Sequence, residues 1–131
     1  MKLLKYCILL LSAIFFFVSC ETVPITGRSQ LSLVSDEQVN SMSVSYYKEF
    51  LSQHKLSNNA AQTQRVKNVG SKISRAVTQF FNQQGKPGQV ANYKWEFNLV
   101  EDKEVNAWCL PGGKVVVYTG ILPIAKDDTG L

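Results

Sequence analysis

At 131 residues the chain has room for one small domain. Fourteen basic residues against ten acidic ones give a formal charge of +4, too small and too scattered for a nucleic-acid binder. The charge gives no argument for nucleic acid as a partner, and none is expected.

The first segment is an export signal. Lys2 and Lys5 form a short positive start, and Cys7 to Val18 is a stretch of twelve apolar or weakly polar residues. A membrane-spanning helix needs roughly 20 apolar residues, so this stretch is too short to be one. Phe17-Val18-Ser19-Cys20 has the form of a lipobox, with Phe17 where Leu is usual. A plain secretory signal cut near Ser19 would leave Cys20 incidental. A lipoprotein signal makes Cys20 the acylated first residue, and a Cys directly behind the apolar stretch and a Ser favours this. Residues 1–19 are then the signal, and the mature chain carries twelve basic and ten acidic residues, a formal +2. Cys7 leaves with the signal and Cys20 takes the lipid. Cys109 is then alone, and no intramolecular disulfide is expected.

Residues 20–34 carry Pro24 and Gly27 and no helical period, so they read as a tether. A domain over 35–131 follows. Ser35-Asp36-Glu37-Gln38 has the form of a capping box. Behind it, Val39, Met42, Tyr46 and Phe50, with Tyr47 and Leu51 beside them, predict an amphipathic helix to about His54. Ser57, Asn58 and Asn59 offer caps for a second helix. Its apolar stripe is Val66, Val69, Ile73, Val77 and Phe80, and Gly85, Pro87 and Gly88 end it.

From Tyr93 the period changes to two. Tyr93, Trp95, Phe97 and Leu99 alternate with polar residues, which predicts a half-buried strand. Glu101 to Glu104 is a charged turn. Val105 to Leu110 is a second strand, Pro111-Gly112-Gly113 a turn, and Lys114 to Thr119 a third strand paired back on the second. Ile121 to Ala125 begins another helical segment, and Asp127, Asp128 and Thr129 offer further caps. The expected fold class is α+β: two N-terminal helices followed by a small three-stranded sheet.

Residue by residue, the sequence contains no catalytic site. The single histidine, His54, sits at a helix end and is expected to be solvated or to pair with the helix dipole. Cys109 has no base near it in sequence and is expected to be a buried structural thiol. Asp127 and Asp128 are expected to cap a helix. No set of residues has the spacing of a zinc site.

Three stretches nevertheless carry a resemblance. They are Cys20-Glu21-Thr22-Val23-Pro24-Ile25-Thr26-Gly27-Arg28-Ser29-Gln30-Leu31, then Asn106-Ala107-Trp108-Cys109-Leu110-Pro111-Gly112-Gly113 running on to Val117-Tyr118-Thr119-Gly120, then Ile121 to Leu131. In that order the chain resembles the envelope lipoproteins of peptidase family M48. These are membrane-associated zinc metalloendopeptidases related to the mitochondrial Oma-type protease and the CAAX prenyl proteases. Trp108 and Cys109 stand where Phe and a small residue are commoner.

The resemblance implies an incomplete zincin-like domain. In the family, a Gly-Leu like Gly130-Leu131 opens the helix bearing H-E-x-x-H. Its histidines bind one zinc ion and its glutamate is the general base. None of these residues occurs in this sequence, which stops one to two helical turns before them. The resemblance also implies that a strand beside the metal pairs with an extended substrate, with Asn106, Ala107 and Trp108 as the matching residues. These either contact substrate or only keep the hairpin in register. Pro111, Gly112 and Gly113 are expected to shape the turn, since glycine tolerates positive φ.

The implied protein is the N-terminal part of a lipid-anchored zinc metalloendopeptidase, working on peptides or unfolded proteins in envelope quality control, with this segment inactive by itself. Glu21 behind the lipid-bearing Cys20 suggests the outer membrane, facing the periplasm. The competing reading is a non-catalytic envelope lipoprotein that binds peptides or a full-length relative through an edge strand.

Overall fold

The structure is a computed structural model and describes residues 20–22, 28–31 and 34–131. The export signal expected over residues 1–19 lies outside the described residues. The chain divides into two units, Met1–Ser35 and Asp36–Leu131. In the first, β1 (Cys20–Thr22) and β2 (Ser29–Leu31) pair antiparallel, with Cys20 opposite Leu31. The stretch read as a tether thus has paired backbone in it.

The second unit begins with α1 (Asp36–Gln53) and α2 (Ala60–Gln83). Asp36 and Glu37 occupy the first turn of α1, where negative charge suits the helix dipole. Asn59 is the N-cap of α2, its side-chain oxygen accepting from the Gln62 N–H at 3.1 Å. Gly85, at φ +68°, ends the helix. The N–H groups of Gly85 and Lys86 turn back to the carbonyls of Asn82 and Phe81, at 3.0 and 2.9 Å.

Three strands follow: β3 (Glu96–Val100), β4 (Ala107–Leu110) and β5 (Lys114–Tyr118). Their order in the sheet is β3-β5-β4. The central β5 runs parallel to β3 and antiparallel to β4. A one-turn helix, α3 (Leu122–Ala125), follows a short 3-10 turn at Thr119–Ile121. The fold is α+β, with the hairpin of β4 and β5 placed as the sequence predicts.

Helices cover both faces of the sheet. Tyr47 and Phe50 of α1 pack with Val100, Val116 and Tyr118 on one face. Val66 of α2 and Leu122 of α3 pack with Leu99 and Val117 on the other. Strand residues alternate between faces, so a strand buried on both reads as the unbroken apolar run Val115-Val116-Val117. This corrects the half-buried reading of the first strand. It begins at Glu96 rather than Tyr93, and both Leu99 and Val100 are buried because each face has a helix over it.

The two helical stripes also differ from expectation. On α1 the buried residues are Ser43, Tyr47 and Phe50, whereas Met42 and Tyr46 are exposed. On α2 only the N-terminal part of the stripe, Val66 and Val69, is buried, and Ile73 and Phe80 are exposed. Length explains the second difference: 24 helical residues extend about 36 Å, and a five-residue strand about 17 Å. The helix overhangs the sheet.

Candidate functional site

A three-stranded sheet has two edges, and here they differ. Along β3 the segment after α1 lies against the C-terminal end. Leu56 bridges to Val100, the Ser57 N–H donates to the Leu99 carbonyl at 2.9 Å, and the Glu101 N–H donates to the Lys55 carbonyl at 2.8 Å. Lys55 also pairs with Glu101 at 2.5 Å. Its ammonium, helped by the Asn58 N–H, holds that carboxyl below the usual carboxylate range. Along β4, among the described residues, no strand pairs with the outer side.

The register fixes which groups that open edge offers. Ala107 lies opposite Val117, Trp108 opposite Val116 and Cys109 opposite Val115. One residue earlier, the Tyr118 N–H donates to the Asn106 carbonyl at 3.1 Å, so Asn106 and Tyr118 form a hydrogen-bonded pair. Antiparallel pairs alternate, so Trp108 and Leu110 turn their backbone groups inward to β5. The N–H and C=O of Ala107 and Cys109 point outward.

The three residues expected on a substrate strand therefore have different positions. Asn106 precedes β4. Its carbonyl is used by the ladder, and its side-chain N–H donates to Glu104 Oε1 at 3.0 Å. Ala107 is exposed and presents outward backbone. Trp108 turns its ring toward α1, edge-on to Phe50 with centroids 4.8 Å apart. Its Nε1–H donates to the Tyr118 hydroxyl at 3.3 Å. Cys109, the other residue with outward backbone, was not expected there. Only the phase of the hydrogen-bond ladder singles it out, and the amino-acid pattern does not encode that phase.

Cys109 also corrects an expectation. It is exposed rather than buried. Its side chain shares the face of Ala107, opposite α1, and among the described residues that corner of the sheet is uncovered. Partial desolvation still pushes its thiol above the ordinary cysteine range, so at neutral pH it is protonated and a poor nucleophile. Its Sγ donates weakly to the Leu110 carbonyl at 3.5 Å.

The ends of the open strand are held by backbone contacts. Residues 101–106 cross the end of β5 to reach β4, and they cross at Thr119-Gly120. The Thr119 hydroxyl donates to the Asp102 carbonyl and the Gly120 N–H donates to the same oxygen, both at 2.8 Å. A Cβ on Gly120 would stand 2.3 Å from the Lys103 carbonyl oxygen, so only glycine fits. At the other end, Pro111, Gly112 and Gly113 make the turn into β5, the glycines at φ +80° and +82°. Their carbonyls accept from the N–H groups of Lys94 and Glu96 at 3.0 and 2.9 Å, which extends the parallel ladder back beyond β3.

The remaining candidates are tied up structurally. The His54 ring stacks on Phe50 at 3.7 Å, and its Nδ1–H donates to the Phe50 carbonyl at 2.8 Å, one of the unpaired acceptors at the end of α1. Asp127 accepts from the N–H groups of Thr129 and Gly130 at 2.9 and 3.0 Å, in the manner of a cap. Asp128 pairs with Arg65 of α2 at 3.0 Å. A cleft of about 790 Å³ opens between the start of α1 and residues 91–94. Its buried cation, Lys114, is already bonded to the Lys94 carbonyl and the Glu96 carboxylate. Among the described residues, no three His, Cys, Asp or Glu side chains converge on a point where a metal ion could bind.

Comparison with known proteins agrees with the architecture. Residues 60–131 match the sequence profile of peptidase family M48. The mitochondrial metalloendopeptidase OMA1 of Schizosaccharomyces pombe is 30% identical over 118 residues, covering 90% of this chain and 33% of that protein. The mitochondrial metalloendopeptidases OMA1 of Homo sapiens and Bos taurus are 31% and 30% identical over 121 residues, covering 90% of this chain and 22% of each. The chain thus spans a third or less of the length of these relatives.

Proposed function

The chain belongs to peptidase family M48, and from that premise we propose that it is the N-terminal part of a membrane-associated zinc metalloendopeptidase, whose open β4 edge pairs with an extended polypeptide substrate. The observation that carries this is the outward backbone of Ala107 and Cys109 on an otherwise two-sided, covered sheet. Such an edge recognises a peptide through its main chain, whatever its sequence, as a protease acting on unfolded chains requires.

The described residues do not fit a zinc site. The one histidine is committed to the end of α1, and among the described residues no three His, Cys, Asp or Glu side chains come together. No hydrolytic step is therefore assigned to this segment. Its part is to align the substrate backbone, while the ion and its activated water belong to residues of the longer protein. The lipid on Cys20 would keep that protein at the envelope. Radiolabelled palmitate should label the chain and fail to label Cys20→Ser, and equal labelling of both would remove the anchor.

The test of the main reading is the continuous reading frame beyond codon 131. It should encode H-E-x-x-H, and its product should hydrolyse unfolded casein, lose activity to a zinc chelator and regain it with zinc. Within that product Cys109→Pro, which removes an outward N–H, should raise KM far more than Cys109→Ala does. A frame without H-E-x-x-H, but with peptide binding that Cys109→Pro abolishes, would instead support the non-catalytic binder.

A further inference from the structure

We propose that Tyr46 and Met42 of α1 form a side-chain subsite beside the open β4 edge, which selects an aromatic or large apolar residue at the position of a bound peptide lying across from Trp108. The proposal rests on the reading of β4 as a peptide-binding edge and names the kind of peptide it takes.

The helix itself supplies the first observation. Met42 and Tyr46 lie one turn apart on α1 and are 69% and 56% exposed, although they belong to its apolar stripe. The residues that cover the sheet are their neighbours Ser43, Tyr47 and Phe50. The apolar surface of α1 is therefore wider than the sheet beneath it.

Trp108 shows on which side the surplus falls. Phe50 and Tyr47 stand edge-on to its ring at 4.8 and 6.3 Å, both buried, and its Nε1–H reaches Tyr118 of the central strand. Tyr46 approaches the same ring at 6.1 Å, tilted by 57°, but is exposed. Trp108 thus separates the packed core from Tyr46, and Tyr46 lies toward the open side of the strand.

Strand geometry then places the substrate. A peptide hydrogen-bonded to Ala107 and Cys109 puts the residue between its two bonded positions across from Trp108. That pair is not hydrogen-bonded, its Cα atoms stand about 4.5 Å apart, and its side chains share a face. The peptide side chain therefore emerges next to Trp108 on the α1 side, where the exposed Tyr46 stands 6.1 Å from the Trp108 ring and the exposed Met42 lies one helical turn before Tyr46. Its neighbours along the peptide point to the opposite face, beside the exposed Ala107 and Cys109. Selection acts at alternate positions, and most strongly at the one across from Trp108.

The experiment uses the full chain and two fluorescein-labelled peptides of one Ser/Thr-rich sequence, one with Phe and one with Ser at the central position. Fluorescence anisotropy reads their dissociation constants. The Phe peptide should bind about tenfold more tightly, the discrimination expected of an apolar pocket. Tyr46→Ser, an exposed position whose change leaves the core intact, should bring the ratio close to one, and Met42→Ser should lower it part of the way. A ratio unchanged by Tyr46→Ser, or a wild-type ratio of one with both peptides bound, overturns the subsite and leaves the edge standing. If neither peptide binds, or if Cys109→Pro leaves binding of both unaltered, the edge reading fails and the subsite with it.

Discussion

At Gly70 the α2 backbone lies close against Phe97 of the sheet, and replacing it with alanine sets two magnitudes against each other. An added Cβ would lie 2.2 Å from Cδ1 of Phe97, 2.4 Å from Cε1 and 2.5 Å from Cγ. Carbon atoms pack at about 3.5–4.0 Å, so the overlap is about an ångström or more at three ring atoms. The ring has little room to yield, because it stacks on Trp95 at 6.0 Å and packs against the cluster of Val66, Leu99 and Val117. Overpacking of this kind costs about 1–3 kcal/mol. In the other direction, Ala in place of Gly inside a helix gains about 1 kcal/mol.

The clash outweighs the propensity gain, and Gly70→Ala should destabilise the protein by about 1 kcal/mol net, lowering Tm by about 4–8 °C for a domain of this size. Circular dichroism at 222 nm during urea and thermal unfolding measures both. The decisive arm is a double-mutant cycle. With Phe97→Ala the obstacle is gone, and Gly70→Ala should then stabilise by about 1 kcal/mol. If Gly70→Ala stabilises the otherwise unchanged protein, or if its effect is the same in both backgrounds, the close approach of α2 to Phe97 is not what requires glycine there.

Lys114 is almost wholly buried and bonded to the Glu96 carboxylate, which is half exposed. Removing Glu96 leaves a buried ammonium without its counter-charge, held by the Lys94 carbonyl alone of its two hydrogen-bond partners, whereas removing Lys114 leaves only a hydrated carboxylate unpaired. Glu96→Ala should therefore cost about 3 kcal/mol and Lys114→Met about 1 kcal/mol or less, read by urea denaturation at pH 7. Burial pushes the Tyr47 phenol above its ordinary pKa, with Glu96 adding to the shift and the hydrogen bond from Asn98 opposing it. The folded state thus holds this proton longer than the unfolded state does. Its contribution is complete below the unfolded value of about 10 and is lost as pH rises through the higher folded value. Tyr47→Phe should cost about 1 kcal/mol at pH 7, since it leaves the Asn98 amide without its acceptor, and should make the alkaline fall in stability shallower.

What the sequence revealed and what it hid follow from the range of the interactions concerned. The cap at Asn59, the glycine that ends α2 and the hairpin of β4 and β5 are local, and each could be read from a few adjacent residues. The buried face of α1 could not. Val39, Met42, Tyr46 and Phe50 satisfy the helical spacing as well as Ser43, Tyr47 and Phe50 do. The second set wins because Ser43 is small and its hydroxyl donates to the Val39 carbonyl at 2.8 Å, so it can be buried without an unpaired polar atom. The parallel pairing of β3 with β5 was equally hidden, because it depends on where residues 101–106 cross. Cys109 looked buried because it stands in an apolar strand. That the strand is an edge, with one face uncovered at this corner, is a fact of topology alone.

The residues that carried the family resemblance turn out to share a physical task. Trp108 ties the middle of β4 to Tyr118 of β5 and to α1. Thr119 and Gly120 clamp the loop that delivers β4. Gly112 and Gly113 fasten the departing turn to the backbone of residues 94–96. Each tie is made through side chains or through backbone groups on the inner side of the strand. Together they hold β4 straight and in register at both ends, and they consume none of the outward N–H and C=O groups of Ala107 and Cys109. Without such ties an edge strand this short would fray, and its groups would lose the fixed spacing that pairing with a peptide needs. On the proposed reading of β4 as a substrate edge, the motif is the frame that holds that edge in place.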